Sequence, residues 1–174
     1  GESFRSFLKG CLPQLPGEKP TIVDWENHLS TLFPEVRLKQ FLEMRGADMG
    51  SAQAVVALPA LWTGLLYDES ALDAAWDLVK GWTAAERQAL RDEVPRTALK
   101  TPFRKGSVRE VAREVLAIAT AGLTNRTRRD AAGRDETVHL ALLQGIVDSG
   151  RTQAERWLDL YRGEWAGDLS KLFE

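Results

Sequence analysis

The stretch SAQAVVALPALWTGLLY, residues 51–67, decides the fold, because it is apolar on nearly every side of a helix. A helix of this kind has no polar face to turn towards water, so we expect it to be buried among other helices. Pro59 stands inside the stretch and removes one backbone hydrogen bond, so we expect a kink there. A buried helix needs covering neighbours, and the rest of the chain predicts them.

Several segments that follow open with a capping signal. A Thr or Ser with a glutamate three residues later stands at Thr83, Ser107 and Thr152, and Asp68 or Ser70 opens a further segment. The apolar residues behind these caps recur at helical spacing, and the clearest stripes are Leu72, Trp76 and Val79; Val108, Val111, Val115 and Ile118; and Trp157, Leu158 and Tyr161. Because caps and stripes agree, we predict an all-helical region from residue 51 to 165.

Two details of these helices are also expected from the sequence. The helix that opens at Thr83 should stop before Pro95, since proline disrupts the ladder of backbone bonds. The six tryptophans lie mostly on the apolar stripes, which favours packing in the core.

The first 50 residues do not show the continuous helical pattern of the later segments. SFRSFLKG, residues 3–10, predicts a short helix, and LPQLPGEKP, residues 12–20, predicts a loop without regular structure. Thr21 and Asp24 form another capping box, and the helix behind them should end before Pro34.

EVRLKQFLEMR, residues 35–45, then alternates between apolar and charged positions. Alternation with period two is typical of a strand, so we predict one over about residues 36–45 with its apolar face in a core. Glu43 and Arg45 would share the charged face with Arg37. A carboxylate can bind Mg²⁺ and an arginine can hold a phosphoryl oxygen, but a surface ion pair explains the same residues.

Composition narrows the classes of function. The net charge is −2 and 44% of the residues are apolar, which is typical of a globular protein and gives no basis for a nucleic-acid or membrane surface. The single cysteine, Cys11, cannot form an internal disulfide, which fits a reducing compartment, and we expect a cytoplasmic protein. His28 and His139 lack ligand spacing, and TPFRKGS, residues 101–107, is only a weak signal for an anion at a helix N-terminus.

Four segments resemble a known family, the plant and proteobacterial type of glutamate–cysteine ligase. They are DWENHLSTLFPEVRLKQFLEMRGAD (24–48), ALPALWTGLLYD (57–68), LKTPFR (99–104) and EWAGDLSKLF (164–173). The resemblance implies ATP-dependent joining of the glutamate side-chain carboxylate to the cysteine amine, through a γ-glutamyl phosphate and with Mg²⁺. It also implies a catalytic sheet like that of glutamine synthetase, in which a strand carries a Glu-x-Arg pair. By this resemblance Glu43 is a Mg²⁺ ligand, Arg45 is catalytic and contacts the phosphoryl group of ATP, and Arg37 is a less secure nucleotide contact.

The chain departs from that family in two respects. After MRGAD the family usually continues Gly-Gly-Pro-Trp-Arg-Arg, whereas residues 49–54 are Met-Gly-Ser-Ala-Gln-Ala. The family's enzyme is also much longer, and this chain resembles its C-terminal portion. The resemblance therefore implies that a missing N-terminal half carries most of the sheet and the other metal ligands, and that the fragment alone is inactive.

The sequence as a whole predicts a mainly α fold with a small β component, a helical bundle packed on one or two strands of a glutamine-synthetase-like sheet. Residues 1–50 would form the N-terminal helix, loop and strand, and residues 51–174 a helical subdomain. Two other functions stay open: a non-catalytic helical interaction module, and a related ligase with a different amine acceptor.

Overall fold

A computed structural model describes residues 2–48 and 50–173 of the chain. The chain divides into two compact units, Gly1–Asp48 and Met49–Glu174. The predicted fold class is confirmed at the level of mainly α with a small β component, since the strands form three separate antiparallel pairs. No helix among the described residues combines the length and the apolar character needed to cross a lipid bilayer.

The first unit contains two helices and two strand pairs. Its elements are α1 (Phe4–Leu8), β1 (Cys11–Leu12), β2 (Leu15–Pro16), α2 (Ile22–Ser30), β3 (Val36–Leu38) and β4 (Leu42–Met44). The loop predicted over residues 12–20 therefore holds part of a small strand pair. Gly10 and Gly17 both have positive φ angles, and the Gly17 N–H donates to the Gly10 carbonyl at 2.9 Å, which closes this turn.

The capping box of α2 forms as predicted. The Asp24 N–H donates to Thr21 Oγ1 at 3.3 Å, and the Thr21 N–H donates to Asp24 Oδ2 at 2.7 Å. The helix ends at Ser30, before Pro34. His28 on this helix stacks on the Phe4 ring with 4.6 Å between the centroids, so it packs as an aromatic side chain.

The single strand predicted over residues 36–45 is wrong, because the segment folds back on itself. β3 and β4 pair in antiparallel register, with Arg37 opposite Glu43 and Leu38 opposite Leu42. Residues 39–41 form the turn, where the Lys39 N–H donates to the Phe41 carbonyl at 2.9 Å. A loop with an odd number of residues preserves the alternation of faces, so period two cannot distinguish a hairpin from one long strand.

The apolar face of this hairpin was expected in a core, and that expectation is also wrong for the described residues. Val36, Leu38 and Leu42 are 46%, 80% and 56% exposed. A two-stranded hairpin is marginally stable by itself, so an uncovered apolar face leaves it without its main source of stability.

The second unit contains six helices, three short 3-10 helices and one strand pair among its described residues. The helices are α3 (Ala52–Leu66), α4 (Glu69–Val79), α5 (Ala84–Thr97), α6 (Val108–Asn125), α7 (Ala141–Ser149) and α8 (Gln153–Arg162); the 3-10 helices are Ala98–Lys100, Glu136–Leu140 and Leu169–Phe173; and β5 (Pro102–Phe103) pairs with β6 (Gly106–Ser107). The caps predicted at Asp68, Thr83, Ser107 and Thr152 are present. Within the described residues the all-helical prediction fails at β5–β6, which is too short to show a period of its own, and at an isolated antiparallel bridge between Arg129 and Asp135.

The helix that opens at Thr83 does not stop before Pro95. α5 continues through Pro95 to Thr97. The fixed φ of proline suits a helix, and the single bond it removes lies on an exposed turn where water can take the place of the donor. The prediction that α5 ends before Pro95 is therefore wrong, although Pro95 does remove one backbone hydrogen bond.

The core forms where α3 and α6 cross. A Cβ added to Gly122 would overlap the Gly64 carbonyl oxygen and lie 2.9 Å from the Ala71 Cβ, and one added to Gly64 would overlap the Ala119 carbonyl. The two backbones are therefore in direct contact. The buried cluster around this crossing consists of Ala60, Leu65, Ala119, Leu123 and Leu140.

Two sequence predictions about burial fail. α3 was expected to be buried on nearly every side, but only Ala57, Ala60, Gly64 and Leu65 are buried, whereas Val55, Val56 and Pro59 are exposed. None of the six tryptophans is buried, and Trp25, Trp76 and Trp157 are exposed. A contact between backbones has room for alanine and leucine side chains, whereas indole rings fit only at its margin. The kink at Pro59 stays a prediction.

Glu86 joins two parts of the second unit. Its backbone N–H donates to Thr83 Oγ1 at 3.1 Å, and its carboxylate accepts from the Thr83 N–H and from Arg104 Nε, each at 2.8 Å. Arg104 lies in the β5–β6 turn with a positive φ of 51°. The bond from Arg104, followed by those from Thr83, lowers the pKa of Glu86 from 4.5 to about 2.

We predict that Gly122→Ala lowers the free energy of unfolding by ~1–3 kcal/mol or more, because the helices must separate to admit one methyl group. Gly145→Ala on α7 is the matched control, since its added Cβ meets nothing within 4 Å. It should raise stability by ~0.5–1 kcal/mol, as alanine does in helices. Urea unfolding of both variants measures the difference, and equal stability would contradict the backbone contact.

We also predict that Glu86→Gln destabilises the chain at pH 7 and that this difference disappears in acid. The folded pKa is depressed, so the stabilisation is fully present above about pH 4.5 and is lost as the pH falls towards 2. Melting temperatures between pH 7 and pH 2 measure it. Glu114→Gln, which removes an exposed carboxylate from α6, should show no comparable convergence with the parent chain.

Candidate functional site

The β3–β4 hairpin brings together the three residues that the sequence singled out. Because Arg37 lies opposite Glu43, the Arg37 Nε donates to Glu43 Oε2 at 2.7 Å. The Arg45 Nε lies 3.9 Å from the same oxygen. The carboxylate is therefore held between two guanidinium groups. The sequence also predicted these residues on one face, but as neighbours along a single strand and not across a hairpin.

The electrostatics of this group favour an ionised carboxylate. The hydrogen bond from Arg37 lowers the pKa of Glu43 most, and the charges of Arg37, Lys39 and Arg45 lower it further. Three cations, Arg37, Lys39 and Arg45, lie near this carboxylate, and the backbone of a further acidic residue, Glu35, pairs with that of Arg45. Arginine side chains suit the phosphate groups of a ligand.

Arg45 has a guanidinium nitrogen without a partner. Its backbone N–H donates to the Glu35 carbonyl at 2.8 Å, and its Cζ lies 5.4 Å from the centroid of the Phe33 ring. The Nη1 atom is buried and has no hydrogen-bond partner within the part of the chain that the structure describes. A buried donor without an acceptor is unfavourable, and an acceptor oxygen, from water or from an anion, would satisfy it. The Arg151 Nε in the helical unit is likewise buried without a hydrogen-bond partner among the described residues.

Phe33 is the residue that sequence reasoning missed. It stands just before Pro34, outside any helical or alternating pattern, so no periodic signal marks it. Its contact with Arg45 is visible only once β4 has folded back along β3.

Glu43 fits Mg²⁺ as one ligand of a site that this chain does not complete. Among residues 2–48 and 50–173, no group of three or more His, Cys, Asp or Glu side chains could hold a metal ion. Both arginines approach Oε2, so Oε1 is the oxygen left for a cation. Mg²⁺ is commonly held by one or two carboxylates together with water and the phosphates of its substrate, which matches one available oxygen.

The other candidate anion site, at TPFRKGS, is occupied by the chain's own groups. Arg104 is bonded to Glu86 and to the Gly81 carbonyl. The Ser107 N–H and hydroxyl both donate to the Glu110 carboxylate, which covers the N-terminus of α6. Arg104 and Ser107 in this segment therefore support the fold through bonds within the chain.

The segment that departs from the family pattern forms the beginning of α3. Ser51 caps the helix, with the Ala54 N–H donating to its Oγ at 3.3 Å. A Cβ on Gly50 would lie 2.7 Å from the Ala54 Cβ and 3.2 Å from Gln153 Oε1, so only glycine fits this position without movement. Met49 lies outside the described residues. Gly50, where the family pattern also has glycine, therefore allows Gln153 of α8 to pack closely against the beginning of α3.

Comparison with known proteins defines the class of this chain. Residues 5–174 match the family model described as Glutamate-cysteine ligase family 2 (GCS2). The chain is similar to the chloroplastic glutamate–cysteine ligase of Arabidopsis thaliana, with 51% identity over all 174 residues, and to that of Solanum lycopersicum, with 49%. It is also 50% identical to glutamate–cysteine ligase A, chloroplastic, of Oryza sativa subsp. indica. The chain belongs to glutamate–cysteine ligase family 2.

The same comparison gives two further findings, on the length of the chain and on the location of the relatives. The chain spans about a third of the length of these relatives, 32% of the Arabidopsis and tomato proteins and 34% of the rice protein. The relatives are named chloroplastic, so the cytoplasmic location predicted from the single cysteine is wrong on this comparison. A reducing environment is a property of more than one compartment, so cysteine count could not decide the location.

We predict that Arg37→Gln raises the pKa of Glu43 towards its ordinary value. The bond from Arg37 is the largest cause of the depression, so Arg45→Gln should raise the pKa less. An NMR titration of the Glu43 side-chain carbonyl carbon in each variant measures both shifts. A larger rise in the Arg45 variant would contradict the geometry described for the hairpin.

Proposed function

We propose that this chain is the part of a glutamate–cysteine ligase that binds the phosphoryl group transferred from ATP to the γ-carboxylate of glutamate. The cysteine amine then displaces phosphate from the γ-glutamyl phosphate and forms the amide bond, which begins glutathione synthesis. The observation that carries this proposal is the unpaired Nη1 of Arg45 beside the ionised Glu43, in a member of this family.

Arg45 would act through charge and hydrogen bonding. Its Nη1 donates to a phosphoryl oxygen, and its positive charge offsets the negative charge that is redistributed as the group moves from nucleotide to carboxylate. Such a contact accelerates the reaction only where it is stronger in the transition state than before it. A planar guanidinium held in advance meets this requirement with little reorganisation.

Glu43 and Arg37 would act together. Mg²⁺ with ATP supplies the charge neutralisation that phosphoryl transfer needs, and Glu43 would offer Oε1 as one of its ligands. Arg37 binds Oε2, which fixes the direction of the carboxylate and keeps it ionised. The same arginine adds positive charge close to the nucleotide phosphates.

The remaining ligands and strands would come from protein outside this chain. The relatives are about three times as long, and the hairpin has two unpaired edges and an uncovered apolar face among the described residues. Additional strands would extend the hairpin into a sheet like that of glutamine synthetase and bring further metal carboxylates. The 174 residues alone would then have no ligase activity.

A second candidate is a related ligase with a different amine acceptor. The observation that favours it is the start of α3, where Ala52, Gln53 and Ala54 stand in place of the family's Trp-Arg-Arg. Phosphate release by the full-length enzyme with ATP and glutamate, measured with cysteine and with a panel of other small amines, separates the two candidates. Preference for another amine would favour the second.

We predict that Arg45→Lys lowers kcat of the full-length enzyme by ~10²–10³, because lysine lacks the planar fork that reaches the phosphoryl oxygen. Steady-state kinetics measure the loss, with melting temperatures alongside. A surface ion pair worth ~0–1 kcal/mol would instead leave kcat near normal and reduce stability slightly. An unchanged kcat would overturn the role of Arg45.

We also predict that Glu43→Gln weakens the binding of Mg²⁺ to the full-length enzyme. Glutamine keeps the shape and removes the charge, so Mg²⁺ should bind more weakly and excess Mg²⁺ should partly restore the rate. A Mg²⁺ titration of kcat measures this. An identical Mg²⁺ dependence in the parent enzyme and the variant would exclude Glu43 as a ligand.

A further inference from the structure

Phe33 is an exposed aromatic residue with a specific contact. Its side chain is 72% exposed, and its ring lies under the Arg45 guanidinium, with 5.4 Å between the ring centroid and Cζ. No other ring or cation contact of Phe33 occurs among the described residues. Exposure alone assigns no role to Phe33, because other apolar residues of this unit are exposed as well, so its contact with Arg45 is the observation that carries one.

The backbone around Phe33 is well placed to hold the ring. α2 ends at Ser30, and Pro34 follows Phe33 with its φ angle fixed by the proline ring. Two residues later the chain enters β3, and the Arg45 N–H donates to the Glu35 carbonyl at 2.8 Å. This bond keeps the backbones that carry Phe33 and Arg45 side by side.

Arginine side chains lose much conformational freedom when they are fixed, so a functional guanidinium needs restraints. Glu43 approaches the Nε of Arg45 at 3.9 Å, which is a contact between charges and does not fix the plane of the group. The Phe33 ring supplies the missing restraint, since a guanidinium lies favourably on an aromatic face. Nη1 remains the nitrogen without a partner.

We propose that Phe33 is a positioning residue, which holds the plane of the Arg45 guanidinium so that Nη1 is presented to the transferred phosphoryl group. This inference rests on the proposed function of Arg45. Phe33 itself contacts neither phosphate nor metal in this scheme. Its effect on the reaction is transmitted only through the orientation of Arg45.

The first measurement reads the geometry without any turnover. In full-length enzyme labelled with ¹⁵N-arginine, the resonance that disappears in Arg45→Lys identifies the Arg45 Nε–H. In the parent enzyme the ring current of Phe33 should move this proton upfield of exposed arginines. Phe33→Leu should abolish the shift, Phe33→Tyr should preserve it, and Phe41→Leu, which removes an exposed ring from the hairpin turn, should leave it unchanged.

The second measurement reads the consequence for catalysis. Phe33→Leu should lower kcat by ~2- to 30-fold, the range that one cation–π contact implies, while KM for ATP stays within about 2-fold. Phe33→Tyr should restore kcat, because its ring offers the same face, and Phe41→Leu should leave kcat unchanged. The resonance shows only that the ring lies over Arg45, so the role is decided by kcat. A merely structural Phe33 would lower the melting temperature of Phe33→Leu and leave its kcat unchanged, and an unchanged kcat would overturn the positioning role.

The outcomes separate this inference from the function on which it rests. If Arg45→Lys loses activity but Phe33→Leu changes neither the Arg45 resonance nor kcat, the positioning role of Phe33 is wrong and the function of Arg45 stands. If Arg45→Lys keeps its kcat, the proposed function fails, and with it any catalytic role for Phe33, whatever the resonance shows. A loss of kcat in Phe41→Leu equal to that in Phe33→Leu would also overturn the assignment.

Discussion

The helical unit depends on one contact, the backbone of α3 against the backbone of α6 at Gly64 and Gly122. Neither position has room for a Cβ, because each would overlap a carbonyl oxygen of the opposite helix. This approach excludes water from the crossing and fixes which residues lie beside it, so Ala60 and Ala119 are buried there. The larger side chains are displaced to the margin of the crossing. Small residues at the centre and aromatic residues outside are thus two results of the same constraint.

The candidate site is governed by a different balance, between one carboxylate and its arginines. Arg37 binds Glu43 closely and lowers its pKa, whereas Arg45 lies farther away and keeps a donor without a partner. The two arginines therefore have different properties although they flank the same oxygen. Arg37 stabilises the carboxylate in its ionised form, and Arg45 has a buried Nη1 without a hydrogen-bond partner among the described residues. A simple surface ion pair would satisfy both partners, and here it does not.

The hairpin also carries features that the described residues do not satisfy. Val36, Leu38 and Leu42 expose apolar surface, and both strand edges lack partners. Natural proteins rarely leave such an edge uncovered, because it invites pairing with another strand. The chain spans about a third of its relatives' length, which agrees with a hairpin that is completed by additional protein. The open edge and the single metal carboxylate thus have a common explanation in the proposed function.

The sequence by itself determined the features that depend on near neighbours in the chain. Caps at Thr21, Thr83 and Thr152 formed as predicted, because a side chain and an amide three residues apart always meet at a helix start. The pair Glu43 and Arg45 was found from its type and spacing. Four segments of the sequence also indicated that the chain belongs to a ligase family, and the family model confirms this membership.

Only the tertiary structure decided how distant residues meet. The alternation of apolar and charged residues over 36–45 is compatible with one strand or with a hairpin that has a three-residue turn. Only the hairpin places Arg37 opposite Glu43 and Phe33 beneath Arg45. Helical stripes predicted buried tryptophans, but none of the six is buried, and alanine and leucine form the buried cluster around the close crossing at Gly64 and Gly122. Local patterns report which face of an element is apolar. The distance at which two elements pack is set by atoms far apart in the chain, and no local period encodes it.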